Sequence, residues 1–292
     1  MTVDLSGGQH VSRERIVVGA DGAGYHQASR LRQARDQDWV LSRAPGHARS
    51  LLDLGCGTGA LLEAALERLP RLRKAVGLEA SPARAREARS RLAVYGDRVT
   101  VRAADLLSGP DLADRFDLIT MTSVVHWLYP REDEVLGWVA RHLAQPGAFL
   151  ITTYHPVTSR DGLGGTDELV QEALGTLGVT DVPGALAAHG IAPIGLRNRP
   201  VSALEDLLRA HFTIEAAEER PATVKVSDAG EYQRFHAATF GTYYSQVAGD
   251  GRQEEFLRAL GAAAMRRMRR QGYVTSMPVR LWACTGQQRQ DP

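Results

Sequence analysis

Asp53, Gly55, Cys56, Gly57 and Gly59 stand together in the run Leu51-Leu52-Asp53-Leu54-Gly55-Cys56-Gly57-Thr58-Gly59-Ala60. An acid followed by glycine at every second position is suited to holding a nucleotide-like cofactor. Glycine accepts positive φ and lets the backbone approach a ligand closely. A helix that starts at the end of such a loop offers free N–H groups to a negative group. The apolar run before the loop and the Ala/Leu-rich pattern from Ala60 to Leu69 after it supply the strand and the helix that this chemistry requires. Cys56 reads as a small loop residue. A helix N-terminus can lower a thiol pKa, but reactivity is not expected here.

The spacing also sorts the cofactor. The dinucleotide fingerprint is G-x-G-x-x-G with its third glycine inside the helix, whereas this loop reads G-x-G-x-G behind Asp53. A tight turn in an NAD-binding sheet is the alternative, in which Glu79 also suits a ribose. The missing helical glycine argues against it. From Ser50 to Tyr154 the chain alternates strand and helix patterns, and Ser81-Pro82 opens the second helix with a capping serine and a first-turn proline. Tyr25 to Ser42 has helical spacing. Helices are expected at Thr166 to Leu177, Glu231 to Tyr244 and about Glu254 to Gln271.

Asp53 with Gly55, Gly57 and Gly59 resembles motif I of the class I methyltransferases, which bind S-adenosylmethionine. The resemblance continues in Ala75-Val76-Gly77-Leu78-Glu79, in Val99 to Leu106 with Asp105 at its end, in Arg115 to Met121, in Leu143 to Leu150, and in Ser202 to His211, Phe212 to Glu219 and Tyr273 to Thr285, which resemble the last helix and last two strands of the family sheet. It implies a Rossmann-like α/β fold with a seven-stranded sheet of order 3-2-1-4-5-7-6, strand 7 antiparallel, and S-adenosylmethionine as cofactor. It also implies that Glu79 holds the ribose hydroxyls, a natural task for a double acceptor, and that Asp105 faces the adenine amino group. Cys56, Ala80, Leu106 and Thr122 join Asp53, the glycines, Glu79 and Asp105 as the expected cofactor-binding residues. The segment 226–272 falls between the last two strands and is expected to lie over the carboxyl ends of the strands as a helical substrate lid.

The acceptor side is expected where the fourth strand exits into Thr122-Ser123-Val124-Val125-His126-Trp127. The His-Trp pair resembles the trans-aconitate methyltransferase group and, more closely, the SABATH and juvenile-hormone-acid carboxyl methyltransferases. Gly19 to Ser29 follows the N-terminal segment of those families in part. The resemblance implies that Tyr25 and Ser29 help hold the cofactor and that Trp127 and Gln33 orient a substrate carboxylate. Gln33 sits one residue late, Arg32 occupies the in-register place, and Ala28 replaces an asparagine; Arg32 is an alternative partner for an acidic substrate. A carboxylate needs no general base, since it is ionised at neutral pH. A phenol or ammonium acceptor needs one, which makes His126, His155, His26 and His236 candidates. Tyr232, Phe235, Phe240, Tyr243 and Tyr244 are spaced to put several rings on one side of the lid helix, either toward an apolar acceptor or as ordinary packing.

Composition narrows the partners. Charge is near balance, with 35 basic and 34 acidic side chains, and gives no general pull toward nucleic acid or anionic membrane. Arg266, Arg267, Arg269 and Arg270 read as a solvated helix end. The fourth-strand exit lacks the Asn/Asp-Pro-Pro-aromatic pattern of amino methyltransferases that act on nucleic acid. Two cysteines make no disulfide framework and fit a reducing cytoplasm. No apolar run is long enough to span a membrane, and no cluster of metal-ligating residues accompanies the cofactor motifs. The expected organisation is an N-terminal cofactor-capping segment (1–49), the cofactor-binding core (50–155), a loop and helix insertion with the end of the sheet (156–225), the lid (226–272), the last strand (273–285) and a tail (286–292). The function read from these features is methylation of a small molecule, with a carboxylate on an apolar or aromatic acid as the leading acceptor. Phenol O-, N- or C-methylation with a histidine base is the alternative, and a non-catalytic cofactor-binding protein is the reading from another class. A homodimer is left open.

Overall fold

The structure, a computed structural model, describes residues 36–155 and 164–287. Tyr25, Ser29, Arg32 and Gln33 lie outside the described residues, as do His26 and the glycine-rich stretch up to Leu163.

The described chain divides into two compact units. The first, comprising 36–155, 197–221 and 278–287, holds the sheet. Its elements are α1 (Asp36–Leu41), β1 (Ser50–Leu54), α2 (Ala60–Arg68), β2 (Lys74–Glu79), α3 (Pro82–Leu92), β3 (Val99–Ala103), β4 (Phe116–Thr122), α4 (Glu132–His142) and β5 (Leu143–Tyr154). With β6 (Phe212–Val224) and β7 (Thr275–Gly286), the order of the seven strands is β3-β2-β1-β4-β5-β7-β6, as the motif series implied. β1 pairs in parallel with β2 and β4, β2 with β3, and β4 with β5, whereas β7 is antiparallel to β5. β1, β2 and β4 are near-continuous buried runs because they are covered on both faces, whereas β3 at the sheet edge is largely exposed. β1 is buried at every position after Ser50.

One core layer joins Leu52, Leu54, Ile119, Met121, Phe149 and Ile151 to the helices that pack on them. Leu136, Trp138 and Val139 of α4 contribute, as do residues Leu204 and Leu208 of the later helix α8. The helix starts follow their caps. Ser81 accepts a hydrogen bond from Arg84 N–H at 3.3 Å with Pro82 in the first turn of α3, and α4 opens with Glu132, Asp133 and Glu134 against its dipole.

The second unit comprises 164–196 and 222–277. It contains α5 (Gly165–Thr176), α6 (Val182–Ala188), most of α7 (Ile194–Arg197), and, after α8 (Val201–His211) and β6 (Phe212–Val224) of the sheet, α9 (Ala229–Phe240) and α10 (Gln253–Gln271). β7 (Thr275–Gly286) follows. α6 and α7 have no counterpart in the sequence-based expectations. α6 does carry a start signal, since Asp181 accepts from Gly184 N–H and Pro183 lies in the first turn. The helix expected to run to Tyr244 ends at Phe240, because Gly241 takes φ +53° and breaks it.

The unit is organised around Asp167. Its carboxylate accepts from Gly164 N–H at 2.9 Å, Ile194 N–H at 2.9 Å, Gly195 N–H at 2.8 Å and Tyr244 O–H at 2.6 Å. Tyr232, Phe235, Phe240, Tyr243 and Tyr244 are all buried, and His236 and Phe256 pack among them, so these rings form this unit's own core. The basic run is not simply solvated: Arg266 pairs with Glu172, and Arg267 bonds Glu168 and the Gly165 carbonyl. No helix among the described residues is long and apolar enough to cross a membrane.

Candidate cofactor and acceptor site

The C-terminal ends of β1, β2, β3 and β4 lie side by side, and β1 has β2 on one side and β4 on the other. That reversal is the crevice where open α/β sheets bind ligands. Gly55, Gly57 and Gly59 have φ of +71°, +57° and +83°, a conformation that favours glycine. Gly55 has a second reason to lack a side chain, since a Cβ there collides with Val124 Cγ2.

Glu79 closes the loop from the neighbouring strand. One carboxylate oxygen accepts from Gly57 N–H at 2.9 Å and the other from Ser81 N–H at 2.9 Å. A carboxylate has about four lone-pair directions, so each oxygen retains capacity for one hydroxyl of a vicinal diol. Ala80 beside it is exposed. Asp105 caps the short turn Leu106–Ser108 by accepting from Leu107 N–H at 3.0 Å, with Leu106 buried beneath. These features fit a nucleoside-bearing cofactor: a loop of backbone N–H groups, a double acceptor and a flanking acid on adjacent strand tips.

Asp53 plays a different part from the other acids. It is 1% exposed and accepts from Thr120 O–H at 2.7 Å. Burial pushes its carboxyl up to about 7; the Thr120 bond opposes the rise and the Glu79 charge adds to it. Asp53 therefore sits beneath the loop, where its charge responds to what binds above. Cys56 is buried with its sulfur in the space that a side chain at Gly77 needs. Burial raises its thiol pKa strongly, which leaves it inert.

The β4 exit is strained. Thr122 ends the strand, and Ser123 is the one non-glycine with positive φ (+57°) among the described residues. A conformation of this kind costs roughly 1–3 kcal/mol and collects at functional sites. Ser123 is held by its N–H to Thr152 O at 3.0 Å and its hydroxyl to Tyr154 Oη at 3.2 Å. Val125, His126 and Trp127 form a 3₁₀ turn in which His126 is buried and Trp127 half-buried, their ring centroids 5.1 Å apart. Through Val124 against Gly55 this exit packs directly on the glycine loop.

Asp53, Gly55, Cys56, Gly57, Gly59, Glu79, Ala80, Asp105, Leu106 and Thr122 thus lie on four adjacent strand ends, and His126 with Trp127 follows the fourth. His155 follows β5, its Nδ1 3.0 Å from the Arg199 carbonyl, and burial lowers its pKa. His236 belongs to the ring core of the second unit. Arg197 was not legible as a site residue. Arg197 donates to the His126 and Trp127 carbonyls, and no local motif marks it.

The strand order is that of a Rossmann-like methyltransferase fold. Residues 52–150 match the family model of a methyltransferase domain. Among curated protein sequences none matches this chain. Solved structures share the fold. The cyclopropane synthase MmaA2 from Mycobacterium tuberculosis is 17% identical, with 96% of this chain and 99% of that chain covered at a TM-score of 0.57. A coclaurine N-methyltransferase bound to N-methylheliamine and S-adenosylhomocysteine is 14% identical over 87% of this chain and 72% of its own, TM-score 0.57. Geranyl diphosphate C-methyltransferase from Streptomyces coelicolor A3(2) is 13% identical over 87% and 76%, TM-score 0.50. At these identities the likeness is one of fold.

Proposed function

We propose that this protein methylates a carboxylate on a small apolar or aromatic acid, with S-adenosylmethionine as methyl donor. The observation that carries the reading is Trp127, half-buried in the turn at the β4 exit and joined to the glycine loop through Val124 and Gly55. The resemblance of the His126-Trp127 pair to the SABATH, juvenile-hormone-acid and trans-aconitate methyltransferases supports the acid as acceptor. Solved structures of the same fold bound to S-adenosylhomocysteine support the cofactor.

Bound in this site, S-adenosylmethionine supplies an electrophilic methyl group. The chain's own residues position and enclose. Glu79 holds the ribose diol, Asp105 faces the adenine edge, the Gly55–Gly59 loop offers its N–H groups, and Asp53 balances a cation from below. The family resemblance assigns Tyr25 and Ser29 to the cofactor and Gln33 (or Arg32) to the acceptor. Trp127 orients the acceptor oxygen. Orientation of two reactants is worth roughly 7–11 kcal/mol in the best cases, and an acid already ionised at pH 7 asks nothing further of a base. The protein acts in the cytoplasm on a small molecule rather than on nucleic acid.

Incubation with methyl-labelled cofactor and a panel of cinnamate, decanoate, 4-ethylphenol and phenethylamine tests the acceptor. Ester formation on the acids is expected, and methylation confined to the phenol or the amine rules the assignment out. Trp127→Ala should retain cofactor binding and lose turnover. A second reading, transfer to a phenol, nitrogen or carbon, is favoured by His126, buried against Trp127 where a base belongs. A pH–rate inflection that vanishes in His126→Gln identifies that case.

A further inference from the structure

Arg197 joins the two residues on which the acceptor reading depends. In the 3₁₀ turn, Trp127 N–H bonds to Val124 O and Leu128 N–H to Val125 O. The carbonyls of His126 and Trp127 come at the end of the turn. Arg197 Nε donates to His126 O at 2.9 Å, Arg197 Nη2 donates to Trp127 O at 3.3 Å, and the guanidinium carbon lies 5.3 Å from the Trp127 ring centroid. A planar fork can serve two consecutive carbonyls and face an indole at once, which the point charge of a lysine cannot.

The next two residues fix where that fork stands. Thr153 Oγ1 donates to Asn198 Oδ1 at 3.4 Å, and His155 Nδ1 donates to Arg199 O at 3.0 Å, both from the end of β5. Arg199 forks onto the buried Glu132 at 2.8 and 3.0 Å and lies over Tyr129. The segment 197–199 is therefore clamped to β5 and to the first turn of α4, which is how a site side chain gains a preset orientation.

We propose that Arg197 is a positioning residue that holds the β4-exit turn and fixes the Trp127 indole against the methyl acceptor. The geometry stands independently of the function proposed above; the consequence for turnover rests on that reading.

The test uses the full chain labelled with 5-fluorotryptophan, which gives one fluorine resonance for each of the four tryptophans, Trp127 being assigned through Trp127→Phe. Arg197→Met is expected to shift and broaden the Trp127 resonance alone, with Arg197→Lys restoring it only in part. S-adenosylhomocysteine affinity is expected to stay within about twofold of wild type. With cinnamate or decanoate as acceptor, KM is expected to rise about tenfold or more at unchanged pH profile. A Trp127 resonance unmoved in Arg197→Met overturns the proposal. If all four resonances move, the variant has lost its fold and Arg197→Lys decides by the same criterion, a shift confined to Trp127 or none. Should wild type methylate no acid, the acceptor reading falls while the resonance test still decides the role of Arg197.

Discussion

Thr120 Oγ1 donates to Asp53 Oδ1 at 2.7 Å between β1 and β4, with both side chains sealed from solvent. One neutral hydrogen bond does not repay the removal of a carboxylate from water, and the acid's pKa rises to about 7. The folded chain thus holds this proton more tightly than the unfolded chain. The associated stabilisation is complete below the ordinary aspartate value of 3.8 and is lost as pH rises through about 7. Its full size is at most about 4 kcal/mol. Wild-type unfolding free energy, compared with that of Asp53→Asn, is therefore expected to decline by a few kcal/mol across this window and to level off above it. Urea denaturation at stepped pH measures the difference, and parallel curves for the two proteins would refute the assignment.

The same proton bears on the cofactor. An ionised Asp53 favours a sulfonium over a neutral thioether. The ratio of S-adenosylhomocysteine to S-adenosylmethionine dissociation constants should rise as pH passes through the neutral range in wild type and stay flat in Asp53→Asn. Calorimetry at pH 6 and pH 8 gives both ratios.

Gly55→Ala meets two penalties, a φ of +71° and a collision with the Val124 side chain. Together they should cost about 2–4 kcal/mol. Val124→Ala relieves only the contact, so the double variant should regain part of the loss. A double-mutant cycle by chemical denaturation isolates that coupling, and strict additivity would show that Val124 does not press on the loop.

Glu79→Gln replaces an acceptor-only group by one with a donor face. It can satisfy only one of the Gly57 and Ser81 N–H groups and only part of a diol. S-adenosylhomocysteine affinity should fall at least tenfold, about 1.4 kcal/mol, with a smaller thermal shift on adding ligand. Undiminished affinity would place the cofactor elsewhere.

Tyr244→Phe removes one of the donors on Asp167, the buried carboxylate whose pKa burial already raises. The expected loss is about 1.5–3 kcal/mol. Hydrogen exchange should report it at the Ile194 and Gly195 amides, which Asp167 also holds.

What the chain states locally, its sequence states outright. Leu51 to Leu54 is apolar without alternation and becomes a strand covered on both sides. Gly55, Gly57 and Gly59 supply the positive φ of the loop. Ser81-Pro82 starts α3 and Gly272 ends α10. Glu79, Asp105 and the His126-Trp127 pair fall at strand ends because strand length is written in the apolar runs. The strand order followed from motif sequence rather than from physical pattern, since periodicity within a strand does not say which strand lies beside it. The end of α9 was misjudged because the aromatic spacing continues past Gly241, and backbone conformation outweighed it.

Tertiary structure decided the relationships that give these residues their character. Asp53 shares its proton balance with Thr120, 67 positions away; Gly55 is needed because Val124 arrives against it; Trp127 is held by Arg197, about 70 positions on. Such contacts depend on how the strands and following segments come together. Burial, which sets the acidity of Asp53, silences Cys56 and turns the α9 rings into a core, is a property of packing alone. The sequence by itself determined the loop, the strand tips and the class of chemistry they serve; folding decided which of those groups are charged, which are strained and which are held still.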